Sequence, residues 1–402
     1  MSARISTEDA ARRLGVKRET LYAYVSRGVL SRQRSPRGRT STFDRAEIER
    51  LARRGRPRRS TRGPAIDVTV YSAITRIERG HLLFRDEEAV TLAGTVAFEQ
   101  TANLLWQGQL GAFRRWPAAE TAVVVQGGAI IDRMRAAAAL AALDAPSELR
   151  QATPVSMTSA APPIIGAMVA AVGPPLHDRT PRLQLGGDAP RSLQGTTAAR
   201  LAVRLSPRRP GPELVAALNA ALVLLADHEL AVSTLAARVA ASARTDAFGV
   251  IGAGLGPLSG ALHGAASRRV RAMVEDAHRH GAERAVRRGT VDKRVMGFGH
   301  ALYPAGDPRA AALLARVRAL PAPSRMVATV DEVAAVAFER TGEAPNVDFA
   351  VAALGYVTGM PIDAGDALFG VARSVGWIAH ATEELAERPL RYRTRALSPR
   401  PE

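Results

Sequence analysis

The sequence predicts a mainly α protein in two parts, a small basic helix-turn-helix domain followed by a large helical body. Three observations carry this. From about residue 65 onward, Ala/Leu/Val runs at helical spacing dominate, as in 212–243 and 367–387. Segments of alternating polarity are few, and "IDVTVYSA" is the best strand candidate. Net charge is +17 over 402 residues, yet residues 1–62 hold 18 Lys and Arg against 6 Asp and Glu, so +12 of it lies at the N-terminal end. A high-GC coding bias explains Arg over Lys but not this clustering. The length accommodates two domains or more.

The first domain spans 1–54. In "STEDAARRLG", Ser6 or Thr7 precedes Glu8 and Asp9 as a cap, and Ala10, Ala11 and Leu14 share a face. Gly15 ends that helix. A second helix follows in "VKRETLYAYVSRG", with Val16, Leu21 and Val25 apolar and Gly28 as its stop. Helix, glycine turn and helix make the helix-turn-helix pattern. "RQRSPRGRTSTFDRAEIERLARR" then reads as a basic turn or wing and a third helix. These stretches resemble the DNA-binding domain of MerR-type and excisionase-type proteins. The resemblance implies duplex DNA as a partner, met by Lys17, Arg18, Thr20 and Tyr22 of the second helix. Arg32, Arg34, Arg37 and Arg39 would reach phosphates from the wing. A protein-interaction role is the rival for such a unit.

Residues 55–64 form a basic Pro/Gly/Ser linker. The body runs over 65–397, with a smaller domain at roughly 215–350, and 398–402 is a tail. The Pro/Gly-rich stretch 161–215 reads as loops that divide the helices into two groups. Cys is absent, which excludes disulfides and thiol chemistry and suits a cytoplasmic location. The first residues lack the apolar segment and cleavage site of a signal peptide. No run approaches the ~20 apolar residues of a membrane span, "AALNAALVLLA" being the longest clean one.

Five segments of the body carry a polar residue that does not suit its surroundings. Asp227, His228 and Glu229 interrupt an apolar helix. Gly260 and Gly264 flank His263. "RVMGFGHALYPAGDPRA" holds His300 between small residues and ends in Arg309. In "EAPNVDFAVAALG", Pro345 and Asn346 start a helix and place Asp348 in its first turn. Arg373 is the only charge between Asp366 and Glu383. Each has a plain structural reading: a satisfied core histidine, loop histidines beside turn glycines, a helix N-terminal charge, arginines in salt bridges. A metal reading of three His and one Asp is weak, because no pair has i, i+3 or i, i+4 spacing.

Together, and in this order, "ADHE", "GPLSGALHGA", "VMGFGHALYPAGDPRA", "PNVDFAVAALG" and "ARSVGWIAH" resemble the blocks of citrate synthase, and "LFRDEEAVTLAGTVAFEQTANLLWQGQL" resembles its N-terminal block. The resemblance covers about 65–397. It implies citrate-synthase-like large and small helical domains with the active site between them, and condensation of acetyl-CoA with oxaloacetate to citrate and free CoA. 2-Methylcitrate synthesis from propionyl-CoA is the alternative, since one methylene is worth only about 1–3 kcal/mol in a pocket. A DNA-binding regulator with a metabolite-sensing body is another.

By matching positions, the resemblance implies that His263 bonds the thioester oxygen, Asp348 removes the methyl proton and His300 bonds the ketone. His228, Arg309 and Arg373 bind the oxaloacetate carboxylates. A further arginine, Arg393 with Arg395 as alternative, comes in the family from the other subunit, which implies a homodimer. The implied chemistry needs no metal or other cofactor beyond the CoA thioester itself. Independently of the resemblance, a thioester methyl is so weak an acid that a carboxylate base needs a donor on the forming enolate oxygen. A dicarboxylate ketone needs arginine forks. Departures are Ala301 after His300, where the family often has Arg, and "GAAS" after His263, where it often has "GGAN".

Overall fold

A computed structural model describes residues 4–14, 16, 18–26, 30–34, 41–45, 47, 48, 51, 69–118, 127–177, 182–185, 192–260, 266–291 and 294–392. The chain divides into two compact units, Met1–Val70 and Tyr71–Glu402.

In the first unit, helix Thr7–Leu14 starts where the cap predicted it. Ser6 Oγ accepts from the Asp9 amide at 3.1 Å and donates to the Asp9 carboxylate at 2.8 Å. Helix Arg18–Ser26 follows. The basic wing is a β-hairpin of Arg32–Arg34 and Ser41–Asp44, with Phe43 opposite Arg32 and Ser41 opposite Arg34. Arg4–Ser6 joins on the other side of Ser41–Asp44, a strand the sequence did not announce. Three residues are too few for a period-2 pattern to register. Arg45, Glu47, Ile48 and Leu51 are helical, in keeping with the expected third helix. Ala10, Leu14, Leu21, Leu30, Phe43 and Ile48 make the unit's own core.

The second unit opens on a hairpin, Thr75–Glu78 against His81–Phe84, turned by Arg79 and Gly80 at positive φ. Of the strand expected at 66–73, the described residues 69–73 form none. Residues 66–68 lie outside the described ones. Alternation alone does not make a strand without a partner; here the Ala73 amide donates instead to Glu383 at 2.8 Å.

Helices then dominate. The expected 212–243 helix is two, Pro212–Leu225 and Val232–Ser242, broken at the "ADHE" segment, where Glu229 has φ +50°. The 161–215 stretch, expected as loops, is helical over 161–171, 197–205 and 212–215. Helix Pro154–Ala171 runs through Pro162 and Pro163. Two prolines cost hydrogen bonds, but Thr153 caps the start, and Ile164, Ile165, Met168 and Val169 are buried. That helix has the length and apolarity of a membrane span, yet 56% of it is buried inside the protein.

Helix Ala364–Leu385 is the hub of one group. Phe98–Gln107, Ile130–Leu140, Pro154–Ala171, Pro212–Leu225, Val232–Ser242 and Ala247–Leu258 pack around it. Its Trp377 is fully buried against Gly254, where a Cβ would collide with the indole. A second group, Ala266–His280, Ala282–Gly289, Pro308–Arg318, Ser324–Thr341 and Val347–Thr358, packs mainly on itself. The helices between 212 and 258, which the sequence placed in the smaller domain, therefore pack with the first group.

Candidate active site

The site lies where the two groups meet. The first supplies the break after Pro212–Leu225 and the middle of Ala364–Leu385; the second supplies the 297–309 loop and the start of Val347–Thr358. Asn346 caps the latter helix, its Oδ1 accepting from the Asp348 amide at 3.0 Å and the Phe349 amide at 3.4 Å. Asp348 thus sits in the first turn, as "PNVDF" predicted.

Two backbone bonds and one from a side chain stitch the His300 loop to the same segment. Gly299 N donates to Ala344 O at 2.8 Å, Asn346 N to Gly297 O at 2.8 Å, and Asn346 Nδ2 to Gly299 O at 3.0 Å. Gly297 and Gly299 adopt φ of +89° and +72°, and a Cβ on Gly297 would press into Val270. The glycines around His300 are therefore demanded by this close backbone approach. His300 Nδ1 accepts from the Leu302 amide at 3.2 Å. In the neutral ring this leaves the proton on Nε2.

Asp307 was not singled out from the sequence, yet it organises the loop's end. It caps helix Pro308–Arg318 through the Arg309 amide, at 3.0 Å. It grips the Arg309 guanidinium at Nε (3.0 Å) and Nη2 (2.9 Å) and accepts from the Val347 amide at 3.0 Å. The Asp-Pro pair, a cap followed by proline at the first helical position, was the signal available in sequence. Arg309, 2% exposed, is thus oriented by a buried carboxylate.

Arg373, also buried, donates Nε–H to the Leu225 carbonyl at 2.8 Å, at the C-terminal end of its helix. Among the described residues its two Nη groups have no protein acceptor. Asp227 lies nearby as counter-charge, holding hydrogen bonds from Thr75 Oγ1 (2.5 Å) and His380 Nε2 (3.2 Å). His380 Nδ1 in turn accepts from Arg238 Nη1 at 2.8 Å, and Arg238 is paired with Glu383 and Glu384. Glu384 also receives Arg391 and Tyr392.

Electrostatics follow from this crowding. Burial, then Arg309 and Arg373, hold His228 well below its ordinary pKa. Burial and Arg309 lower His300 too. Both rings are therefore neutral at pH 7, their centroids 5.1 Å apart. Burial raises the Asp348 carboxyl to about 6 against the pull of Arg309 and Arg373. Burial also brings Arg373 down to about 10. Two arginines, two neutral imidazoles and a carboxylate poised near neutrality suit an anion with a reactive centre beside a base. Beside His300 opens a recess of about 180 Å³ lined by Tyr303, Asp307, Phe338 and Glu343 among others.

Thus His228, His300, Arg309, Arg373 and Asp348 come together. His263 and Arg393 (with Arg395) lie outside the described residues, as do Lys17, Arg37 and Arg39. Arg18 starts its helix, Thr20 is half-buried, and Tyr22 is 36% exposed with the Arg32 guanidinium 5.8 Å over its ring. Among the described residues no three His, Asp or Glu gather as a metal site would need.

Residues 66–395 match the family model for the citrate synthase C-terminal domain, and residues 5–56 match one for a helix-turn-helix domain. A citrate synthase of Haloferax volcanii is 36% identical over 205 residues, covering 48% of this chain and 52% of that protein. A 2-methylcitrate synthase 1 of Corynebacterium glutamicum is 35% identical over 174 residues, covering 42% and 46%. The chain spans about half the length of the curated relatives it matches. Among solved structures, citrate synthase of Thermotoga maritima aligns at TM-score 0.62 and 24% identity over 83% of this chain and 94% of that one. The Thermoplasma acidophilum citrate synthase, in a ternary complex with carboxymethyl coenzyme A and oxaloacetate, aligns at 0.64 and 23% over 84% and 95%. At these identities the structural likeness carries the fold.

Proposed function

The chain belongs to the citrate synthase family, and from that premise we propose that it condenses an acyl-CoA with oxaloacetate, acetyl-CoA giving citrate and free CoA. The observation that carries this is the convergence of Asp348, His300, His228, Arg309 and Arg373 on one cleft. Arg309 and Arg373, with His228, bind the ketone dicarboxylate. Arg393, with Arg395 as alternative, would add the contact from the second subunit of a homodimer.

Asp348 takes a proton from the thioester methyl, and His263 donates to the enolate oxygen that forms. The enolate carbon bonds to the ketone carbon, and His300 Nε2–H stabilises the new alkoxide. Water then cleaves the thioester and CoA leaves. No metal or redox group is required to balance these steps. A cytoplasmic location for the chain goes with this reading, and the absence of Cys from the sequence suits it.

Mass spectrometry of the product from oxaloacetate with each thioester tests the substrate. Citrate formed from acetyl-CoA more efficiently than 2-methylcitrate from propionyl-CoA is expected. The reverse order would transfer the assignment to 2-methylcitrate synthesis, which the Corynebacterium relative favours.

A second reading rests on the helix-turn-helix match and the winged sheet. Residues 1–54 bind duplex DNA through Lys17, Arg18, Thr20 and Tyr22, while the body works as an enzyme or as a sensor of its own substrates.

A further inference from the structure

One aromatic side chain touches three of the groups assigned to the ketone dicarboxylate and has no part in the steps above. Tyr303 is 2% exposed. Its hydroxyl lies 3.0 Å from His228 Nε2. Its ring centroid is 4.9 Å from that of His300 and 5.6 Å from that of His228. The Arg309 guanidinium lies over the ring, 5.4 Å from its centroid. Backbone bonds hold it there, Tyr303 N donating to His300 O at 3.1 Å and Gly306 N to Tyr303 O at 3.0 Å.

We propose that Tyr303 is a positioning residue of this site: its hydroxyl locks His228 into the Nδ1–H tautomer, and its ring sets where His300 and the Arg309 guanidinium lie. The inference rests on the reading of the site given above. A buried hydroxyl needs an acceptor. Among the described residues the Tyr303 O–H has one, His228 Nε2. Burial keeps the phenol protonated, its pKa being raised, so it remains a donor. A neutral imidazole that accepts at Nε2 carries its proton on Nδ1. His300 is held the opposite way, accepting at Nδ1 from Leu302 and protonated on Nε2. The two rings thus present different nitrogens as donors. Such fixed donors suit two different oxygens of one anion, because neither ring has to re-protonate when the ligand arrives.

The test uses the full chain labelled with ¹⁵N-histidine, wild type and Tyr303→Phe, at pH 8, with His228→Gln to assign the resonance. Long-range ¹H–¹⁵N spectra of the wild type should show His228 as the Nδ1–H form, and Tyr303→Phe should move it toward a tautomer mixture. Calorimetric titration with oxaloacetate, without any thioester, should show affinity about tenfold weaker in the variant. In turnover the loss should fall more on KM for oxaloacetate than on kcat. Tyr303→Leu, which removes the ring as well, should lower kcat further. An Nε2–H form of His228 in the wild type would overturn the proposal. So would a Tyr303→Phe protein with an unchanged tautomer and unchanged oxaloacetate affinity. If the wild type binds no oxaloacetate, the substrate reading fails, while the tautomer spectra still decide what Tyr303 does to His228.

Discussion

Asp348 meets two opposed demands. As the proposed base, its carboxyl must be ionised to take a proton, yet burial raises it to about 6 from an ordinary 3.8. A carboxyl with a raised folded-state pKa binds its proton more tightly in the folded chain. It therefore costs stability as pH climbs from about 4 through 6, and the cost, up to about 3 kcal/mol, is complete above that. Asp348→Asn should then lower kcat by about 10²-fold or more while raising the melting temperature at pH 8, with the gain shrinking toward pH 4.5. Equal melting temperatures at pH 8 would show that the site does not strain this group. The same carboxyl should set the acid limb of kcat/KM near pH 6, since below it the base is protonated; a limb near 4 would contradict the burial argument.

The two arginines should separate. Arg373→Leu removes a cation that, among the described residues, donates to a single carbonyl, so oxaloacetate affinity should fall sharply with a smaller change in stability. Arg309→Leu also strands the buried Asp307 carboxylate, and should cost about 3–5 kcal/mol of stability besides. Melting curves and oxaloacetate titrations of both variants check this.

Among the elements, helix Ala364–Leu385 decides most. It carries Arg373 toward the cleft and His380 toward Asp227, seven residues apart on one face. At Gly376 the helix comes so close to the "ADHE" segment that a Cβ would meet Asp227 Oδ1 and the Ala226 carbonyl. Gly376→Ala should thus destabilise by about 1–3 kcal/mol and weaken oxaloacetate binding by displacing His228. Gly256→Ala, where a Cβ meets open space, is the control. If both variants bind and melt alike, the approach at Gly376 does not position the site.

Much of this was legible in sequence. Capping residues and apolar spacing predicted helix Thr7–Leu14 and the start at Asn346, because both signals are local. Asp227, by contrast, has its partners at Thr75 and His380, more than 150 residues away on either side, and no spacing rule reaches across such a fold. The prolines at 162 and 163 misled for the same reason: their penalty is local, and the burial that overrides it is tertiary. Tyr303 was hidden inside a block quoted for its histidine, since a tyrosine in a turn carries no signal until its neighbours are known.

At the scale of the whole molecule, the basic unit and the body make separable claims. If residues 1–54 bind duplex DNA, the log of affinity should fall against log salt by about 0.9 per phosphate neutralised. A chain beginning at Pro64 should lose that affinity and keep its chemistry. Full-length protein that shifts no duplex even at low salt would leave the basic unit to another partner. For the body, the direct measurement is the rate of free CoA release from acetyl-CoA, with and without oxaloacetate, in wild type and Asp348→Asn. Release that requires oxaloacetate and falls about 10²-fold or more in the variant is the predicted result. Release that is absent in the wild type, or that is independent of oxaloacetate or of Asp348, would contradict it.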